Sequence, residues 1–172
     1  IVDNGKVSIL DVSVYTEWTI KTLVVGILCK KLMNERMTAR KVEELKDVQA
    51  GHSYFSTSVE TGKDEMPIVW ILVDEFHEFM GNEKKTLATD AFTAILREGR
   101  QPGVCLVMAT QQPGQLHNDV LTQTDIILSH RITARRDVEA LNSMMQSYVS
   151  GDIQKFLNSL PTEKGAAVIL DD

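Results

Sequence analysis

Residues 67–80 read PIVWILVDEFHEFM, and this stretch decides the fold class. Its first seven residues form an unbroken apolar run. A strand that does not alternate between apolar and polar residues is typical of a parallel sheet covered by helices on both faces. Two acidic residues, Asp74 and Glu75, follow the run directly. The stretch therefore predicts a buried central strand with two carboxylates at its C-terminal end.

Further apolar runs and helical patterns surround this strand. Strands that alternate with helices predict an α/β domain whose mainly parallel sheet is flanked by helices. Gly99 is placed to end one of the helices. The predicted strands cover residues 6–12, 67–73, 104–109, 126–129 and 166–170, and the predicted helices cover residues 16–48, 86–97, 137–148 and 152–160. The first half of the long helix is apolar on most faces and is expected to be buried.

The composition excludes several classes of protein. With 172 residues, 43% hydrophobic, 24% charged and a net charge of −6, the chain is not a disordered tail, a collagen-like repeat or a disulfide miniprotein. The acidic balance also argues against a wholly basic nucleic-acid wrapper, although a local basic groove stays open. Cys29 and Cys105 lie in apolar runs and are expected to be small core residues in a reducing cytosol.

The ends of the chain and its longest apolar stretch bear on its location. No stretch approaches the ~20 apolar residues that a membrane span needs, so we expect a cytoplasmic protein without a membrane partner. The sequence opens on Ile1 rather than on methionine. We therefore expect a piece of a longer protein.

Polar side chains follow two of the predicted strands at the edge where an open parallel sheet binds its ligands. Asp74 and Glu75 end residues 67–73, and Gln111 lies just beyond residues 104–109. An apolar run into Asp-Glu is the Walker B arrangement of nucleotide-hydrolysing domains: Asp74 would hold Mg²⁺ through water, and Glu75 would act as general base on the water that attacks the γ-phosphate. Gln111 would sense that phosphate. The alternative is that both acids only cap the following helix.

Two arginines flank the turn LREGR at the end of a predicted helix. A guanidinium is a fixed fork of donors that suits phosphate, and an arginine at a subunit edge can complete the site of a neighbour. The alternative is two exposed cations favoured by the helix dipole. The spacing does not choose between Arg97 and Arg100.

Taken together, three segments resemble the HerA/FtsK superfamily of hexameric DNA-pumping ATPases, and within it the HerA-type helicases. The segments are ILVDEFHEFM (71–80), LREGRQPGVCLVMATQQPGQL (96–116) and DVLTQTDIILSHRITARRDVEAL (119–141). The resemblance implies a RecA-like P-loop ATPase core that binds ATP and Mg²⁺. By the same resemblance Asp74 is linked to magnesium, Glu75 is the catalytic base, Gln111 is the sensor amide, and Arg100, rather than Arg97, is the finger that acts on a neighbouring subunit.

One departure from the family stands out, because the phosphate loop G-x-x-x-x-G-K-[ST] is absent. The Gly-Lys pairs at positions 5–6 and 62–63 do not follow an apolar strand. Without the backbone N–H groups and the lysine of that loop, nothing cradles the β- and γ-phosphates. We expect residues 1–172 to be the C-terminal part of the ATPase domain, unable alone to bind ATP tightly or to hydrolyse it. A missing central strand would also leave an apolar edge and promote self-association.

The resemblance implies that the parent protein is an ATP-driven translocase or helicase on double-stranded DNA. It would form a ring, a hexamer in this family, hydrolyse ATP between subunits, bind DNA without sequence preference and work with a nuclease in DNA repair. Two alternatives stay open: a conjugation or type IV secretion ATPase, and a non-catalytic ring-assembly module. Two basic clusters are candidates for contact with DNA phosphates or a neighbouring subunit, with a solvated surface as the alternative. They are Arg131, Arg135 and Arg136, and Arg36, Arg40 and Lys41.

Overall fold

The computed structural model describes residues 2–52, 66–82, 85–145, 157, 159–161, 163 and 165–171. The chain divides into two compact units, with Ile1–Val73 and Thr86–Val107 in unit 1 and Asp74–Lys85 and Met108–Asp172 in unit 2. The elements are α1 (Trp18–His52), β1 (Val69–Val73), α2 (Leu87–Glu98), β2 (Val104–Met108), α3 (Asn118–Thr122), β3 (Ile126–His130), α4 (Arg135–Met145) and β4 (Ala167–Asp171). Two short 3₁₀ turns, Phe76–Glu78 and Pro113–Gln115, follow β1 and β2.

Unit 1 packs α1 against α2 beside the paired strands β1 and β2. The strands are parallel: Val69 N–H at the start of β1 donates to Gly103 O just before β2, at 3.0 Å. The helices approach closely at Gly26, where a Cβ would lie 2.9 Å from the backbone of Leu87. The buried apolar side chains of this unit are Val25, Cys29, Leu32, Met33, Val69, Ala88, Ala91, Phe92, Ile95 and Val104.

The helix α2 follows its sequence signals closely. Thr86 is the N-cap: its hydroxyl accepts from Thr89 N–H at 3.3 Å, and its own N–H donates to the Thr89 hydroxyl at 3.1 Å. Gly99 is the C-cap, and its N–H donates to Ile95 O at 2.8 Å. These caps satisfy backbone groups that a helix end leaves unpaired, so the predicted helix over residues 86–97 is confirmed.

Arg36 lies inside unit 1, so the hypothesis that it contacts DNA or a neighbouring subunit is wrong. Its side chain is 3% exposed. Its Nε donates to Pro102 O at 2.7 Å, and its Nη1 donates to Met66 O and, at 3.0 Å, to Glu43 Oε1. The guanidinium thus holds α1 against the segments that lead into β1 and β2. The carboxylate of Glu43 also pairs with Arg40 at 3.4 Å.

Unit 2 contains the antiparallel pair β3–β4, with Ile126 opposite Asp171 and His130 opposite Ala167. The helix α4 packs on the 3₁₀ turn after β2, where Gly114 N–H donates to Asp137 Oδ1 at 2.9 Å. The buried apolar side chains of this unit are Phe76, Phe79, Met80, Leu116, Val120, Val138, Leu141 and Leu157. The α/β class is therefore confirmed, but in the described part of the chain each sheet has two strands, and only β1–β2 is parallel.

Three expectations about strands need correction. Residues 6–12 are not a strand, and Val7 and Ile9 are each 91% exposed, because a strand needs a hydrogen-bonded neighbour and the described residues supply none. The apolar run of β1 is not buried on both faces: Trp70 is 65% exposed and Leu72 is 72% exposed, since only the opposite face is covered. On β2, Cys105 is exposed rather than in the core.

The helices agree better with the sequence. The long helix is confirmed, although Ile20, Leu23 and Ile27 in its first half are exposed rather than buried. The predicted connection over residues 53–65 and most of the predicted helix over residues 152–160 lie outside the described residues. Of the helices that the structure describes, none combines the length and the apolar character needed to cross a membrane.

Candidate functional site

The acidic pair occupies the tip of β1, as the sequence predicts. Asp74 follows the last residue of the strand, and its Oδ1 accepts from Glu75 N–H at 2.9 Å. Glu75 has a left-handed backbone, φ 47° and ψ 46°, the sole positive φ of a non-glycine residue in the described part of the chain. Such a conformation costs of order 1–3 kcal/mol and is found where the surrounding structure enforces it.

The 3₁₀ turn Phe76–Glu78 enforces this conformation. The Phe76 side chain is completely buried, and its N–H donates to Ala109 O beyond the end of β2 at 2.9 Å. The chain must therefore turn sharply at Glu75 to bring Phe76 into the core. This turn leaves the Glu75 side chain partly exposed at the strand tip.

The residues after β2 complete the site. Gln111 Nε2 donates a short hydrogen bond to Glu75 Oε1. Next to it, the Thr110 hydroxyl accepts from Gln112 N–H at 3.0 Å, which closes a tight turn. The structure therefore joins two of the sequence-predicted residues, Glu75 and Gln111, through their side chains. The sequence placed them together because parallel strands end at the same edge of a sheet.

Capping does not explain the acidic pair. Glu75 stands at the N-cap position of the 3₁₀ turn, but its side chain makes no capping hydrogen bond. The Asp74 carboxylate bonds the backbone N–H of the very next residue. The Glu75 carboxylate instead faces the side chains of the loop after β2.

His77 is the residue of this site that sequence reasoning missed. Its side chain is 7% exposed, with Nδ1 3.0 Å from Thr110 Oγ1 and 3.5 Å from Glu75 Oε2. Its Nε2 lies 3.3 Å from Gln112 Nε2 and 3.7 Å from Glu78 Oε1. The available signal was its position between Phe76 and Phe79: a histidine flanked by buried aromatics must find polar partners in the interior.

The donor set at Asp74 fits a magnesium ion held through water. Mg²⁺ keeps several waters and usually takes one or two carboxylates together with phosphate oxygens. Asp74 is exposed at the strand tip, and one of its oxygens already holds the Glu75 N–H. In the described ranges, no three His, Cys, Asp or Glu side chains cluster as an all-protein metal site. A single exposed carboxylate is therefore what the structure offers.

The candidate arginines lie elsewhere in the chain. Arg97 is in the last turn of α2, and Arg100 is exposed in the turn that leads to β2; both belong to unit 1. Asp74, Glu75 and Gln111 belong to unit 2. Arg131 is exposed directly after β3.

Comparison with known proteins supports the resemblance seen in the sequence. The probable DNA double-strand break repair helicase HerA of Methanocaldococcus jannaschii is 30% identical over 96% of this chain. The DNA double-strand break repair helicase HerA of Pyrococcus furiosus is 29% identical over the same share. This chain is homologous to the HerA helicases. It spans 33% and 31% of the length of these two HerA proteins.

Other comparisons are weaker. A probable helicase of M. jannaschii is 29% identical over 65% of the chain. No protein-family model matches the chain. Among solved structures, the genome packaging NTPase B204 of Sulfolobus turreted icosahedral virus 2, in complex with ATP-gammaS, has a TM-score of 0.48 and 21% identity. That match covers 62% of this chain and 48% of the NTPase.

Proposed function

We propose that this chain forms the hydrolysis side of a nucleotide site in an ATP-driven translocase or helicase on double-stranded DNA. One observation carries the proposal: the side chains of Glu75 and Gln111, at the ends of two parallel strands, are hydrogen-bonded to each other. A carboxylate and an amide paired at this edge are suited to orient one water molecule against a phosphate. Homology to helicases agrees with this chemistry.

Each residue has a distinct task in the proposed reaction. Glu75 orients the attacking water and takes up its proton, and Gln111 holds the Glu75 carboxylate and contacts the γ-phosphate. Asp74 would hold Mg²⁺. When bound, the ion would neutralise charge that develops on the phosphate oxygens. The enforced turn at Glu75 fixes the direction of its carboxylate before any nucleotide arrives.

We place this chain within a larger RecA-like domain, of which residues 1–172 are the C-terminal part. The phosphate loop is then supplied by residues outside this sequence. Two findings support this arrangement: the HerA relatives are about three times as long as the chain, and Trp70 and Leu72 expose apolar surface of the kind that another layer covers. Alone, the chain is then inactive towards ATP.

The proposed motor is a cytoplasmic ring, a hexamer by its resemblance to the HerA/FtsK superfamily, with ATP between subunits. Arg100 of one subunit then reaches the phosphates bound by the next, with Arg97 as the alternative. Binding to DNA is independent of sequence and sensitive to salt, because phosphates rather than bases are contacted. A nuclease partner in DNA repair belongs to the same proposal and rests on the resemblance.

The test is ATP turnover by the full-length protein, with and without double-stranded DNA. We expect DNA to stimulate turnover and Glu75→Gln to lower kcat by ~100-fold or more, since the amide cannot accept a proton. Glu35→Gln is the matched control, because Glu35 is an exposed carboxylate on α1. A full-length protein that stays inert with DNA would refute the proposal and favour a secretion ATPase or an assembly module. Equal losses of kcat in Glu75→Gln and Glu35→Gln would show that Glu75 has no specific role in hydrolysis.

A further inference from the structure

His77 contacts both loops of the candidate site. From the loop after β1 it faces two carboxylates, Glu75 and Glu78, at 3.5 and 3.7 Å. From the loop after β2 it meets Thr110 Oγ1 at 3.0 Å and Gln112 Nε2 at 3.3 Å. A buried imidazole with partners at both nitrogens has a fixed ring orientation.

The orientation of two neighbouring amides in the structure indicates which nitrogen of His77 carries the proton. Gln115 Nε2 donates to Gln112 Oε1, so the amide nitrogen of Gln112 is the atom that faces His77. An amide N–H can only donate, and His77 Nε2 therefore accepts. The ring proton then lies on Nδ1, directed at Thr110 Oγ1 and, farther away, at Glu75 Oε2.

The Glu75 carboxylate consequently has a neighbouring donor at each oxygen, of which one forms a hydrogen bond. Gln111 donates to its Oε1, and the Nδ1–H of His77 faces its Oε2. Gln111 belongs to the loop after β2, and His77 is attached to the same loop through its contact with Thr110. A carboxylate that is hydrogen-bonded at one oxygen and faces a buried, oriented ring at the other has few directions open to it, and general-base catalysis depends strongly on such placement.

We propose that His77 is a positioning residue for hydrolysis: it binds the loop after β2 and thereby fixes the Glu75 carboxylate. The inference rests on the proposed function of the site. Its Nδ1 contacts Thr110 and faces Glu75, and its Nε2 contacts Gln112. The Nδ1 side carries the effect on turnover, because that nitrogen faces the catalytic carboxylate.

The test compares three variants in the full-length protein. His77→Asn places an amide near the Nδ1 position, His77→Gln places one near the Nε2 position, and His77→Phe fills the space without either hydrogen bond. For His77→Phe and His77→Gln we expect kcat to fall by about 10- to 100-fold with little change in KM for ATP. We expect His77→Asn to keep most of the wild-type kcat, because its amide lies near the Nδ1 position. Melting temperatures of all three variants separate a positioning role from a fold defect.

A second measurement needs no turnover. Two-bond ¹H–¹⁵N correlation spectra of the nucleotide-free protein, with the His77 signals assigned by their loss in His77→Asn, report the tautomer. We expect a proton on Nδ1, and a ring that carries its proton on Nε2 alone would overturn the inference. Wild-type kcat in all three variants would also overturn it, and so would losses of kcat that merely follow the losses of melting temperature. If wild type and Glu75→Gln differ in kcat but the His77 variants do not, the proposed function stands and this inference fails. A wild-type protein without ATP turnover would contradict both the proposed function and this inference.

Discussion

Replacing Arg36 by methionine tests how unit 1 is held together. Methionine keeps the apolar stem and leaves the backbone oxygens of Pro102 and Met66 without their charged donor. Hydrogen bonds from a charged group contribute about 1.5–3 kcal/mol each, so the loss of these two bonds costs about 3–6 kcal/mol, a part of which is offset because methionine is buried more easily than a cation. The pair with Glu43 adds little, because that carboxylate is partly exposed. We therefore expect Arg36→Met to lower the free energy of unfolding by about 3–5 kcal/mol.

The assay is urea unfolding followed by tryptophan fluorescence, because both tryptophans, Trp18 and Trp70, belong to unit 1. With an m-value of about 2 kcal/mol/M, the midpoint is expected to fall by roughly 1.5–2.5 M. Arg40→Met is the matched control: Arg40 pairs with the same Glu43 but is 41% exposed, so its loss is expected to stay below about 1 kcal/mol. Equal midpoints for the two variants would show that the buried hydrogen bonds of Arg36 stabilise unit 1 no more than the exposed pair of Arg40 does.

Three further predictions concern packing, thiols and acid stability. Gly26→Ala is expected to destabilise unit 1 by about 1–3 kcal/mol in urea unfolding, because its Cβ would lie 2.9 Å from the Leu87 backbone, although alanine is the better helix former. Burial raises the pKa of the Cys29 thiol to about 12, whereas Cys105 is exposed, so a thiol reagent is expected to label Cys105 quickly and Cys29 only on unfolding; fast labelling of both would contradict this. The hydrogen bond from Arg36 holds the pKa of Glu43 below its ordinary value of 4.5. The ionised Glu43 carboxylate therefore stabilises the fold above pH 4.5, and this stabilisation is lost as pH falls through the lower pKa of the folded state. We expect Glu43→Gln to flatten this part of the acid-unfolding curve, and an unchanged slope would contradict the prediction.

Strand ends and helix caps were predictable because their signals are local. An apolar run that stops at Asp74, and another that stops before Thr110, mark strand tips by composition alone. Parallel topology then brings Glu75 near Gln111. The caps at Thr86 and Gly99 likewise depend on neighbours within a turn of helix.

Burial and long-range polar contacts were not predictable in the same way. The apolar character of Trp70 and Leu72 indicates that these side chains favour burial, but it does not show whether the described part of the chain covers them. Arg36 lies in a run of charged residues typical of a solvated surface, yet its partner Pro102 is 66 positions away. His77 was missed for the same reason, since Thr110 is 33 positions away. Such pairings depend on the tertiary structure and leave no periodic pattern in the sequence.

If Glu75 and Gln111 act as one unit in hydrolysis, a double-mutant cycle on kcat will show coupling between them. The full-length protein, Glu75→Gln, Gln111→Ala and the double variant would be compared with saturating ATP and DNA. Residues that act together give losses that do not multiply, so the double variant is expected to turn over no more slowly than Glu75→Gln alone. Losses that multiply, or a Gln111→Ala variant with wild-type kcat, would show that the two side chains do not act together.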